Sequence, residues 1–136
     1  MPMIITHYSL VDWDSERWPN FRPSEFACKS SGEFYHDPES FDMIQRARKI
    51  TGRPYRINSA HRSALHNARV GGAPLSQHKK MAFDISTIGH DRHSLLNDLK
   101  RAGFSSFGLY QTFIHADKRK NRLWYGGEYS RKLWNG

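Results

Sequence analysis

His78, Asp84 and His115 are two imidazoles and a carboxylate, donor types that hold a catalytic zinc ion through three protein ligands and leave a fourth position open for water. An open position of that kind makes a hydrolase. Eight histidines in 136 residues generate many accidental His/Asp combinations, so the weight falls on the segments that carry the three. Residues 76–85, Ser-Gln-His-Lys-Lys-Met-Ala-Phe-Asp-Ile, read as a polar loop running into a short apolar strand from Met81 to Ile85. Period-2 alternation puts Ala82, Asp84 and Ser86 on one face and Met81, Phe83 and Ile85 on the other, so Asp84 projects from a rigid element opposite a buried face. Phe113-Ile114-His115-Ala116-Asp117 is a second strand-like run, in which Phe113, His115 and Asp117 point the same way.

The elements that must position these residues are mixed. Asp37-Pro38-Glu39 starts a helix, with Asp37 as N-cap and Pro38 at the first helical position, and Gly52 stops it. Between them Phe41, Ile44, Ala47 and Ile50 repeat at helical spacing. A shorter helix covers Ser63 to Val70 and closes at Gly71-Gly72; a third runs from about Asp91 to Ala102, with Leu95, Leu96, Leu99 and Ala102 as its apolar face. Strands are expected at Tyr55–Asn58, Met81–Ser86, Phe107–Leu109 and Phe113–Ala116. Helices and strands without regular alternation predict an α+β fold, a small central antiparallel sheet flanked by helices, and 136 residues predict one domain spanning 1–136.

The ordered motifs resemble a known family. Asn58-Ser59-Ala60-His61-Arg62-Ser63, then His66-Asn67, then Val70-Gly71-Gly72-Ala73-Pro74-Leu75-Ser76-Gln77-His78, are similar to the "SGYRS…HN…VGG…SQH" run of the zinc D-alanyl-D-alanine peptidases, which share a fold with the zinc domain of hedgehog proteins. Ala82-Phe83-Asp84-Ile85 resembles their "AxDI" segment and Ile114-His115-Ala116-Asp117 their "HxD" segment. Phe21-Arg22-Pro23-Ser24-Glu25-Phe26-Ala27-Cys28 is similar to the "FSPxEFxC" opening of the murein endopeptidase and phage lysin branch. Two departures stand out. The family spacing "HxxGxAxD" loses one residue and its glycine between His78 and Asp84, which changes the loop but keeps the strand register of Asp84. Some branches carry an acidic base three positions before the last His, and Thr112 occupies that position here.

The resemblance implies one zinc ion on His78, Asp84 and His115, and hydrolysis of an amide bond in the peptide part of peptidoglycan, next to a D-amino acid. Asp117 is then a candidate general base, with orientation of a ligand imidazole as its alternative role. Arg62 is a candidate for holding a substrate carboxylate or a developing oxyanion. Ser76, Asn67, Tyr110 and His61 are candidates for lining the substrate groove. A non-catalytic wall-binding or virion structural module that keeps the zinc is the rival reading.

The remaining features set bounds. A single Cys28 excludes an intrachain disulfide, and its expected role is that of a small buried apolar residue. The first residues lack the basic start and apolar core of a secretory signal, which leads to the expectation of synthesis in the cytoplasm and action at the bacterial wall or periplasm. The net charge is +8, with 21 Lys and Arg against 13 Asp and Glu, and a basic surface suits an anionic wall polymer. Lys118-Arg119-Lys120-Asn121-Arg122 with Trp124 and Tyr125 is the strongest basic-aromatic cluster, yet no nucleic-acid fold signature accompanies it, and a hairpin turn with solvated charges is expected. A monomer without a specific nucleic-acid partner is expected.

Overall fold

Pro38 and Gly52 bracket the longest helix as their chemistry requires, and the chain is organised around it and a five-stranded sheet. The computed structural model describes residues 2–73 and 76–136; Pro74 and Leu75 lie outside the described residues. In chain order the elements are β1 (Met3–Ile5), α1 (Pro23–Phe26), β2 (Phe34–His36), α2 (Pro38–Thr51), β3 (Ile57–Ser59), α3 (Ala64–Arg69), β4 (Phe83–Ser86), α4 (Arg92–Arg101), β5 (Ser106–Leu109), β6 (Phe113–Asp117), β7 (Arg122–Tyr125) and α5 (Glu128–Asn135). Short 3₁₀ turns occupy Tyr8–Leu10 and Gln77–Lys79. No helix among the described residues is long and apolar enough to cross a membrane.

Helix α2 turns Phe41, Ile44 and Ala47 into the core, and Gly52, at φ 71°, closes it by donating its N–H to the Arg48 carbonyl. Asp37 does not cap the helix backbone; its carboxylate accepts from Ser40 Oγ at 2.7 Å and from Lys118 Nζ at 2.8 Å. The Asp91 carboxylate does cap α4, accepting from the Ser94 N–H at 2.9 Å; Leu95, Leu96 and Leu99 of α4 are buried, and α4 packs against α2. Phe26, Phe34, Phe41 and Phe83 are fully buried, with Phe26 stacked on Phe41 at 5.1 Å and each such side chain contributing roughly 1.5–3 kcal/mol on leaving water. Cys28 is buried, as expected.

The main sheet runs β3-β4-β6-β5-β7, while β1 and β2 form a separate antiparallel pair. Strand β4 lies inside the sheet and is buried along its whole length, on the Asp84 face as well as the core face. One expectation needs correction: the sheet is not wholly antiparallel, because β7 runs parallel to β5. The cause is topological. Both edges of β6 are already taken by β4 and β5, so the chain leaving β6 reverses at Asn121 (φ 53°) and adds to the free edge of β5. The expected turn spans residues 118–121, strand β7 begins at Arg122 directly after it, and α5 follows with Trp134 buried and its Nε1 donating to the Tyr110 carbonyl at 2.9 Å.

Asp42 ties the N-terminal segment to α2. Its carboxylate accepts two bonds from Arg17, at 2.7 and 2.8 Å, and one from the buried Trp18 Nε1 at 2.9 Å. The Arg17 hydrogen bond lowers the Asp42 pKa, against the opposing effect of burial and with help from Trp18. The pair is half-exposed, so solvent screening limits its worth. Asp42→Ala is expected to cost about 1–2 kcal/mol, or roughly 3–6 °C in Tm at pH 7. Because the folded-state pKa is lowered, this stabilisation is present above the ordinary carboxyl value near ~3.9 and is lost as pH falls through the folded value. Thermal melts from pH 7 to pH 2 should show the gap to the unaltered chain narrowing below about pH 4; a constant gap would count against the charged pair.

Candidate active site

Asp84 and His115 face each other across β4 and β6 as a registered pair, and the 3₁₀ turn at Gln77–Lys79 brings His78 over them. His78 Nε2 lies 3.0 Å from Asp84 Oδ1, His115 Nδ1 lies 3.1 Å from the same oxygen, and the two ring nitrogens are 3.2 Å apart. All three residues are buried. The shortened loop between His78 and Asp84 therefore still brings the expected donors together.

The donor set fits a zinc ion on two grounds. Tetrahedral bonds of about 2.0–2.1 Å require ligand atoms about 3.3 Å apart, close to the three separations found. Each imidazole also has its far nitrogen committed. His78 Nδ1 donates to the Ala60 carbonyl, and His115 Nε2 donates to Asp117 Oδ2 at 2.7 Å. In neutral rings this leaves both inner nitrogens with lone pairs aimed at a carboxylate oxygen. Such a convergence demands positive charge, from a proton or from a cation. Burial pushes the His115 pKa down, but hydrogen bonds to Asp117 and Asp84 outweigh it and raise the value. Burial likewise pushes the Asp84 carboxyl up, and the hydrogen bonds from His115 and His78 overcome this to hold it at about 2.

Asp117 stands on the opposite side of His115 from the donor cluster, and both its oxygens are occupied. Besides His115, it accepts from the Arg119 backbone N–H at 2.9 Å, Arg119 Nε at 3.0 Å and Arg119 Nη2 at 2.8 Å. Burial would raise its pKa, yet these bonds drive it well below the ordinary carboxylate range. Its carboxylate is thus oriented towards the ring it supports, away from where an expected general base would meet water.

The triad lies at the bottom of an open cleft of about 490 Å³. Arg62, Ser76 and Tyr110 are among the residues that line it. Arg62 donates from Nη1 to Asn67 Oδ1 at 3.1 Å and its backbone N–H bonds the His78 carbonyl, so guanidinium and ligand loop are coupled. Asn67 is buried and also donates from Nδ2 to the Ala73 carbonyl at 2.9 Å; it braces Arg62 and the loop instead of lining the cleft. Ser76 Oγ accepts from the His78 N–H at 3.2 Å and so fixes the turn that carries the ligand. His61, expected in the groove, is only 2% exposed; its ring joins the Lys80 carbonyl at 2.8 Å to Glu33 Oε1 at 2.7 Å and stacks on Tyr35. It is a brace beneath the loop.

Sequence reasoning missed the opposite wall. Gly108 pairs with His115 on one side and with Trp124 on the other, and the Trp124 indole lies across the missing side chain. A Cβ at Gly108 would meet the indole at 2.5 Å. Trp124 packs 5.1 Å from the His115 ring and donates from Nε1 to Tyr110 Oη at 3.0 Å, while Tyr110 stacks on Phe113 at 4.4 Å. The available signal was the alternation Arg122-Leu123-Trp124-Tyr125, a strand pattern hidden behind the basic run. A comparison with curated proteins finds no match to the chain. A family model described as Peptidase M15 matches residues 19–117, a span that holds all three donors and well over half the chain. With His78, Asp84 and His115 buried together where they could hold a metal ion, the chain belongs to the peptidase M15 family of metallopeptidases.

Proposed function

We propose that this chain is a zinc-dependent peptidase that hydrolyses an amide bond next to a D-amino acid in the peptide part of peptidoglycan, in the manner of a phage or prophage lysin. The observation that carries the reading is the buried His78, Asp84 and His115 cluster opening onto a cleft. These three side chains would hold the zinc. Bound there, zinc polarises a carbonyl and lowers the pKa of water to roughly 7.

The chain's own groups supply the rest. Arg62, held by Asn67, presents a guanidinium to the cleft that suits a substrate carboxylate or a developing oxyanion. Tyr110 Oη accepts the Trp124 N–H and so keeps its own proton to donate to substrate. Ser76 holds the ligand turn and borders the cleft. Asp117 acts as the orienting partner of His115 in preference to the base role, because its carboxylate is saturated on the far side of the ring.

One observation favours the rival, a zinc-stabilised wall-binding module without turnover: Asp84 is the only carboxylate lining the cleft among the described residues. Incubating the purified chain with isolated peptidoglycan, with and without a chelator, separates the two. The proposal expects new free amino groups that the chelator abolishes, and mass spectrometry of the released fragments then identifies the bond. Zinc-dependent wall binding without new amino groups would establish the rival.

A further inference from the structure

Asp84, His115, Gly108 and Trp124 stand in one row across four adjacent strands. At about 4.8 Å per strand, the row carries the cleft floor roughly 14 Å from Asp84 to the outer edge of the sheet. Because Gly108 has no side chain, the indole of Trp124 covers that floor. Arg122 precedes Trp124 by two residues, shares its face of β7, and borders the same cleft.

The cations around the cleft are not equivalent. Arg119 is bound by Asp117, and Lys118 is bound by Asp37 and Glu39. Arg122 is exposed, and its guanidinium has no acidic or hydrogen-bonding partner among the described residues. Arg62 likewise faces no carboxylate and stands at the β3 end of the cleft. Among the described residues, the cleft thus carries at each end a guanidinium without a carboxylate partner, Arg62 braced by Asn67 and Arg122 unbraced, with the donor triad between and an aromatic floor leading to the outer one.

We propose that Arg122, with Trp124 as its floor, forms an outer anion subsite that takes a peptide carboxylate about two residues removed from the cleaved amide. The spacing follows from the sheet. His115 and Arg122 are two strands and two residues apart, roughly 12 Å between backbones; an arginine side chain reaches about 6 Å, so when it leans over the cleft it borders, it leaves about two residues of extended peptide at about 3.3 Å each. The substrate class is therefore an acidic peptide running obliquely from the donor triad across the indole to Arg122, gripped beyond the reacting bond by a guanidinium, whose planar fork suits a carboxylate. This inference rests on the peptidase reading for the position of the cleaved amide.

The test uses acetylated peptides containing D-Ala-D-Ala, in pairs with Glu or Gln placed two residues to the N-terminal or to the C-terminal side of that bond. The full chain and Arg122→Gln are compared in two ways: kcat/KM with zinc, and Kd from tryptophan fluorescence after chelation. Arg122→Gln is expected to weaken one Glu peptide about tenfold in both measurements, with its Gln counterpart changed less than about twofold, and Arg122→Lys should recover part of the loss. Loss shared equally by Glu and Gln peptides, or a Kd that never depends on the carboxylate, would overturn the subsite. If the Kd coupling holds while no peptide is cut, the subsite stands and the peptidase reading falls. Cleavage without coupling has the opposite meaning.

Discussion

Replacing His115 by alanine is expected to remove zinc and hydrolysis together, with activity falling at least about 10³-fold. The ring holds two jobs at once: Nδ1 is one of three inner donors, and Nε2 donates to Asp117 Oδ2. Removing it leaves Asp84 with His78 alone in a buried place, and two donors do not close a catalytic zinc site. Metal content by mass spectrometry or atomic absorption, read beside peptidoglycan digestion, checks the outcome. Full zinc occupancy in His115→Ala would sink the assignment of this centre. His78→Ala should behave alike, because His78 also carries the turn that Ser76 and Arg62 brace.

Asp117→Asn should separate orientation from proton transfer. Asp117 accepts from four donors at 1% exposure, and an asparagine offers one oxygen and an NH₂ that must face a guanidinium or an imidazole N–H. A stability loss of about 2 kcal/mol is expected from the donors left unpaired. With the His115 ring less firmly held, zinc affinity should fall about 10–100-fold. At saturating zinc, however, kcat should return to within about tenfold of the unaltered chain. A deficit of ~10²-fold or more that persists under saturating metal would instead assign Asp117 the base role. Zinc titrations followed by activity at each concentration give both numbers.

The sequence made the helices and the donors legible because both follow from local rules. Pro38, Gly52, Ser63 and Asp91 mark helix ends through their own backbone and side-chain chemistry, and all four mark them in the structure. Asp84 and His115 sit on strands whose alternation is visible in ten residues. What was hidden depends on who sits beside whom. The parallel placement of β7 is decided by which edge of the sheet is free, a fact no local window contains. His61 looked like a groove residue because the family run it resembles has Tyr at that position, but its partners Glu33 and Lys80 come from segments 28 and 19 residues away. Lys118, read as part of a solvated basic run, is drawn to Asp37 and Glu39 at the start of α2. In each case long-range pairing overrode a correct but incomplete local reading.

The fit of the Trp124 indole into the space above Gly108 ties two positions that lie 16 residues apart into one inherited character. A chain that gains any side chain at 108 must surrender the large ring at 124, and a chain that loses the ring leaves a trough beside His115 that a bulkier residue at 108 would fill. Across relatives of this chain the two sites should therefore drift together, small with large. The width of the cleft between the reacting bond and the sheet edge would be set by that exchange, with the three metal donors left untouched.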